Sequence, residues 1–264
     1  MTFLQRQLGT NYKWWYILKF AFKSNTAYRG NSIMWLLSSL VQVSGVLFVW
    51  FINKNESINF STIFTYLIMG EAFLLSSAVT YDIGENIQDG KIITKLLRPT
   101  NVFGFYFAQA FGYQFFENCS KCIIYLSIAF IFSQYLITPS FVNFILFLTF
   151  GILSYLISSF YYYIVGFTAF WFTAFFGSAN FFNNTKILFS GQFFPLNAIP
   201  NLKALLFFPF AFTFYYPMQI FLGKYDSIQI AQIFAGGIFW CLILWILARL
   251  VFRLGLKKNE AVGL

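Results

Sequence analysis

SIMWLLSSLVQVSGVLFVWFI, Ser32 to Ile52, contains no charged side chain. A helix rises about 1.5 Å per residue and needs about 20 apolar residues to cross a hydrocarbon core of about 30 Å. The run has that length and is flanked by uncharged Gly30, Asn31 and Asn53. It reads as a membrane span, and the rest of the chain agrees. Of 264 residues, 59% are hydrophobic, 24% aromatic and only 9% charged, with a mean hydropathy of +0.69. Such a composition cannot cover a soluble surface with charge.

Working outward from Ser32–Ile52, the same criterion places further spans. Residues 60–80 form a second, interrupted by Glu71, and residues 103–132 a third, containing Glu117 and Lys121. Cys122 to Thr185 carries no charge at all, enough to finish the third span and add two more, at 141–162 and 165–188. The division falls where Gly166 follows a tyrosine cluster. Residues 227–250 form the last. The expected fold is an all-α integral membrane protein with six transmembrane helices in a single domain spanning residues 1–264.

Lys and Arg flanking the spans set the orientation. Arg6, Lys13, Lys19, Lys23 and Arg29 precede the first span; Arg249, Arg253, Lys257 and Lys258 close the chain. Lys91, Lys95 and Arg98 lie between spans two and three, on the same side. Both termini are therefore expected in the cytoplasm. The net charge of +9 mostly records this asymmetry, which favours anionic lipid over nucleic acid. Residues 11–27 wind into an amphipathic helix with Lys19 and Lys23 on one face and Trp14, Leu18, Ala21 and Phe22 on the other. It is expected to lie in the headgroup layer.

Several chemistries are excluded. The chain has no histidine, so a Ser-His-Asp triad and a His-ligated metal are impossible. Cys119 and Cys122 spell C-x-x-C inside a span, where packing is the simpler reading. Gly84, Gly90 and Lys91 suggest a phosphate loop, but that motif needs four residues between its glycines and Ser or Thr after the lysine. Here there are five residues, and Ile92 follows.

Residues 82–98 read instead as a short cytoplasmic helix. Asp82, Glu85 and Asp89 come first and Lys91, Lys95 and Arg98 last, the order that complements a helix dipole. Gly90 breaks or bends its middle. Ile92, Ile93, Leu96 and Leu97 repeat at helical spacing as an apolar ridge, and Pro99 stops the helix. Such a ridge either docks on another protein or lies on lipid.

Within the spans, Gln114, Glu117, Asn118 and Lys121 share one stripe of a helix. Intramembrane ions are costly and face protein or water. A mutual Glu117–Lys121 pair and a pathway-lining stripe are both open readings, as is the partner of Glu71. Pro195, Pro200, Pro209 and Pro217 all fall within residues 191–223, an apolar, aromatic stretch. Broken backbone at membrane depth survives only where protein or water satisfies it. This points to re-entrant helices on the outer face, against a kinked seventh span.

DGKIITKLLRPTN, Asp89 to Asn101, resembles the cytoplasmic-loop signature of permease subunits of type-2 ABC exporters, with Gly90, Leu96, Leu97, Arg98 and Pro99 at matching positions. FSGQFFPLNAIPNLKALLFFPFAFTFYYPMQIFLGK, Phe189 to Lys224, is similar to a second segment of the subgroup of about 260 residues with six spans. Pro195, Pro209, Phe210, Ala211, Phe212, Tyr216, Pro217, Leu222 and Gly223 carry that likeness. The uncharged turn between spans four and five departs from the family pattern.

The resemblance implies a bacterial or archaeal plasma-membrane protein whose residues 82–98 couple to a separate ATPase subunit, present in two copies. Asp82, Glu85, Asp89, Gly90, Ile93, Leu96, Leu97, Arg98 and Pro99 would form that coupling element, and residues 11–27 an elbow helix. A second permease, identical or homologous, would complete the pathway. This chain would bind no cofactor; ATP and magnesium would sit on the ATPase. The cargo expected from a pathway without a charge array is amphipathic or hydrophobic: a drug, peptide or lipid-linked molecule. The alternative class is an ATPase-independent channel or secondary carrier.

Overall fold

The computed structural model describes residues 14–23, 29–52, 59–74, 79–97, 101–198 and 200–261, and among them there are helices and no strand. Helix α1 covers residues 14–23. It is followed by α2 (Arg29–Ile52), α3 (Phe60–Phe73), α4 (Thr80–Gln88), α5 (Ile92–Leu96), α6 (Val102–Ile131), α7 (Phe141–Phe167), α8 (Phe175–Ser190), α9 (Tyr215–Phe221) and α10 (Ser227–Ala261). Among the described residues, three stretches are long and apolar enough to cross a membrane: Ile33–Ile52, Phe141–Phe170 and Ser227–Lys258. Helix α6, with 30 residues, has the length, but Gln114, Glu117, Asn118 and Lys121 interrupt its apolar character.

Helix starts follow local chemistry. Asn59 caps α3 by accepting from the Ser61 amide at 3.2 Å, Asn101 caps α6 by accepting from Phe103 at 3.0 Å, and Ser140 caps α7 by accepting from Asn143 at 3.2 Å. Each supplies an acceptor to an amide that has no partner in the first helical turn. Helix α8 ends at Gly191, whose φ of 82° is left-handed, a conformation glycine adopts without a Cβ clash.

Several boundaries differ from those expected: the helix expected over 165–188 begins only at Phe175 and ends at Ser190, and the last helix runs to Ala261, past the expected 250. Helix α3 stops at Phe73 instead of running to Thr80, which already belongs to α4. Helix α7 passes the Tyr162–Val165 division and ends at Phe167. Gly166 does not end it because its bare backbone is packed: a Cβ there would sit 2.8 Å from Cβ of Ile83.

The core divides between the two ends of the bundle. At one end, α4, α5 and the start of α6 meet the end of α7 around Ile83, Ile87, Ile92, Phe105, Tyr106, Tyr163, Phe167 and Phe175. At the other, α3, the end of α6 and the start of α7 meet residues 211–221 around Phe64, Tyr66, Ile68, Phe147, Phe214 and Met218. A smaller cluster of Phe150, Ile157, Phe212, Ile220 and Leu244 joins α7 to α10. Helix α1 lies along α6: Ala21 is buried, and the Leu18 carbonyl and Trp14 ring approach Gly112 and Gly104. Lys19 and Lys23 are exposed.

Among the described residues of 191–223 there is no spanning helix. Leu196–Ala198, Pro200–Phe207 and Pro209–Thr213 are 3-10 turns leading into α9, which has seven residues. Pro209 opens its turn and Pro217 sits in the first turn of α9, places where a missing amide costs little. Carbonyls freed by the irregular path are satisfied by side chains from surrounding helices. Tyr66 of α3 donates to the Gly191 carbonyl at 2.7 Å, Ser154 of α7 to Thr213 at 2.6 Å, and the Trp240 indole of α10 to Phe207 at 2.8 Å. Tyr216 adds a bond to the Leu206 carbonyl at 3.1 Å. Unmet backbone polar groups in an apolar medium cost several kcal/mol each, and these donors remove that cost.

Candidate functional site: a surface arm and a buried ion cluster

The arm expected to break or bend at Gly90 is two helices, α4 and α5, separated at Asp89 and Gly90. Gly90 has φ 70°, so α5 leaves α4 at an angle. Asp89 and Lys91 form an exposed ion pair of 2.6 Å across the bend; at such exposure it adds little stability.

Helix α4 is anchored. Its Ile83, Gly84 and Ile87 are buried. A Cβ on Gly84 would stand 1.9 Å from a ring carbon of Phe175, itself fully buried. Gln88 donates to the Thr173 carbonyl at 2.8 Å, Thr80 to the Tyr162 carbonyl at 3.4 Å, and Tyr81 bonds with Asn180 while accepting from Asn183 at 3.2 Å. Tyr81 also stacks on Phe176, with ring centroids 6.1 Å apart. One face of α4 is thereby fixed to the end of α7 and the start of α8.

Helix α5 presents the apolar ridge. Leu97 is 81% exposed, Leu96 39% and Ile93 37%, whereas Ile92 is buried and belongs to the core. The free ridge is thus Ile93, Leu96 and Leu97. Lys95 lies 4.1 Å above the Phe105 ring. Arg98 and Pro99 lie outside the described residues. Of the acids, Glu85 and Asp89 are exposed. Asp82 is not a surface dipole partner: Gln109 donates to its carboxylate at 3.3 Å and Asn86 to its carbonyl at 2.5 Å. Burial, helped by Glu85 and opposed by Lys95, raises its pKa to about 6.

The second cluster centres on Glu71 of α3, only 9% exposed. Lys121 of α6 lies 3.8 Å from its Oε2, Ser39 of α2 donates to the same oxygen at 3.3 Å, and Gln192 donates to Oε1. Tyr125 of α6 completes it through a 2.7 Å bond with Ser39. Lys121 therefore takes its ion pair from Glu71 across helices, not from Glu117 one turn away. Gln114 is buried and its Oε1 has no hydrogen-bond partner among the described residues; Asn118 does interact. Pro195, three residues after Gln192, is buried, while nothing is described for the Pro200 side chain.

Sequence reasoning missed Ser39, Tyr125 and Gln192. Their only signal is polarity within apolar runs, since they meet Glu71 from 32, 54 and 121 residues away or through one another. It also passed over Lys186 of α8, which is buried, donates to the Tyr162 hydroxyl at 3.1 Å and lies 4.5 Å from that ring's centroid. Cys119 is exposed and Cys122 half-buried, both as free thiols. Among the described residues no group of His, Cys, Asp or Glu could hold a metal.

Apolar spans, a broken segment satisfied inside the bundle and a protruding arm define a polytopic α-helical membrane protein. Residues 54–263 match the family model described as ABC-2 family transporter protein, and the chain belongs to that family. It is thus a membrane subunit of an ABC transporter, a transport component that works with an ATPase subunit. Searches of curated proteins and of solved structures found no significant match.

Proposed function

We propose that this chain is an exporter permease, that Ile93, Leu96 and Leu97 on α5 seat in a groove of the ATPase subunit, and that α4 carries the movement into α7 and α8. The observation supporting this is a division of labour: α5 exposes its apolar ridge, while α4 is locked to the α7–α8 junction through Gly84 against Phe175 and Ile83 against Gly166. A load applied at the ridge would reach the membrane helices without a flexible joint in α4. Asp82, Glu85, Asp89, Gly90, Arg98 and Pro99 shape or flank this element.

Two copies of the chain, or this chain and a homologous permease, enclose the pathway. Two ATPase subunits bind ATP and magnesium beneath them, at the cytoplasmic ends. Residues 191–223 cap the pathway at the outer face. The Glu71–Lys121 cluster ties that cap to α2, α3 and α6, a packing role in which Glu117, Gln114 and Asn118 continue the polar stripe. The cargo is amphipathic or hydrophobic.

The test is Leu96→Glu with Leu97→Glu. The ATPase is expected to stop copurifying and ATP-dependent export to cease while the permease still inserts. Intact association and transport would overturn the assignment. Export that persists without any ATPase would favour a carrier.

A further inference from the structure

Near its end, α10 carries two parallel rows. Trp245, Arg249, Arg253 and Lys257 follow one another at four-residue spacing, and Ile246, Leu250 and Leu254 run beside them. Residues four apart on a helix lie one above the next, so the rows form adjacent ridges. Together they line a groove of about 420 Å³. The opposite face is committed: Leu244 and Ala248 are buried, and Gly255 abuts the Phe170 ring. Ile246, Leu250 and Leu254 are about half exposed, and the three cations are exposed.

Depth gives the rows a meaning. About 20 residues counted from Ser227 bring the helix through the hydrocarbon core, which ends near Ile246. Trp245 then lies at the boundary, where indoles are enriched. Arg249 lies one turn further out with its guanidinium 3.8 Å from the Trp245 ring. Arg253 and Lys257 continue outward over about 12 Å from Arg249 to Lys257. No carboxylate among the described residues lies within ion-pair distance of these three cations. An amphiphile fits this gradient: an anion among Arg249, Arg253 and Lys257, and a chain against Trp245, Ile246 and Leu250.

We propose that this face of α10 is a binding site for an anionic phospholipid of the leaflet at which the helix ends. Charge complementarity selects the occupant: an uncharged lipid leaves the cations unmet, and a second copy of this chain would set like charges against each other if it met this face with its own.

The test uses the purified full-length chain in phosphatidylcholine micelles titrated with phosphatidylglycerol, read by thermal shift and by native mass spectrometry of retained lipid. The wild type is expected to retain phosphatidylglycerol and gain stability. Arg249→Gln, Arg253→Gln and Lys257→Gln combined should keep the melting temperature in phosphatidylcholine alone but bind phosphatidylglycerol about a hundredfold more weakly, at roughly fivefold per cation. Arg253→Gln alone should show the fivefold step if the triple variant does not fold, and Lys224→Gln, at the other end of the bundle, should change nothing. Wild-type affinity in the triple variant would overturn the proposal. So would equal responses to both lipids, an equal shift with inorganic phosphate, or a changed oligomeric state with lipid retention intact.

Discussion

Gly84→Ala tests whether α4 is a rigid link. The added methyl would lie 1.9 Å from one Phe175 ring carbon and 2.3 and 2.4 Å from two others. Ordinary carbon contacts need about 3.5–4.0 Å, so helix and ring must separate by roughly 1.5–2 Å. Phe175 is fully buried in the cluster of Ile83, Tyr163 and Phe167, so the strain falls on packed neighbours and not on solvent. Overpacking of this kind costs about 1–3 kcal/mol. A melting curve of the purified protein should show that cost, and ATPase activity should lose its dependence on transport while the ATPase remains bound, because Ile93, Leu96 and Leu97 are untouched. Phe175→Ala alone should destabilise by about 3–5 kcal/mol. Combined with Gly84→Ala, the methyl fills part of the vacated space, and the pair should be at least about 1 kcal/mol more stable than the sum of the single changes. Strict additivity, or a Gly84→Ala protein that melts and transports like the wild type, would refute the close packing inferred for α4.

Glu71→Gln leaves one acceptor oxygen where Ser39 and Gln192 each donate to a separate one, and it strands the Lys121 ammonium; it should destabilise by about 3 kcal/mol in a melt, and adding Lys121→Met should recover part of the loss. Asp82 has a folded pKa raised from 3.8 to about 6, so between those values the folded state holds a proton that the unfolded state has released. Stability therefore falls as pH rises through that window, by at most about 3 kcal/mol. The melting temperature of Asp82→Asn minus that of wild type should accordingly grow from pH 4 to pH 7. Ser154→Ala removes the donor to the Thr213 carbonyl; a loss of about 1–3 kcal/mol is expected, read as faster proteolysis within residues 191–223.

What was legible in the sequence is what depends on neighbours along the chain. Uncharged runs mark α2, α7 and α10, because a spanning helix is set by length and polarity alone. Gly90 announces the bend between α4 and α5, and clustered prolines announce irregular backbone before α9. Partner choice is different. Helical spacing places Lys121 beside Glu117, but Glu71, fifty residues earlier, takes the ion pair because α3 and α6 pack together. Ile92 shares the apolar period of Ile93, Leu96 and Leu97, yet the cluster around Ile83 and Phe105 buries it. Asp82 reads as an acid favouring a helix start, although Gln109 and the enclosing core decide its charge. Gly166 looks like a helix end until Ile83 is seen filling the space above it.

The donors that satisfy residues 191–223 also impose an order on biogenesis. Tyr66 and Ser154 precede the segment in the chain and are available when it leaves the ribosome. Trp240, which serves the Phe207 carbonyl, is synthesised afterwards. The broken segment can settle against α3 and α7 first, but it closes fully only when α10 inserts beside it. The final helix is therefore both a span and the last fastener of a loop made before it.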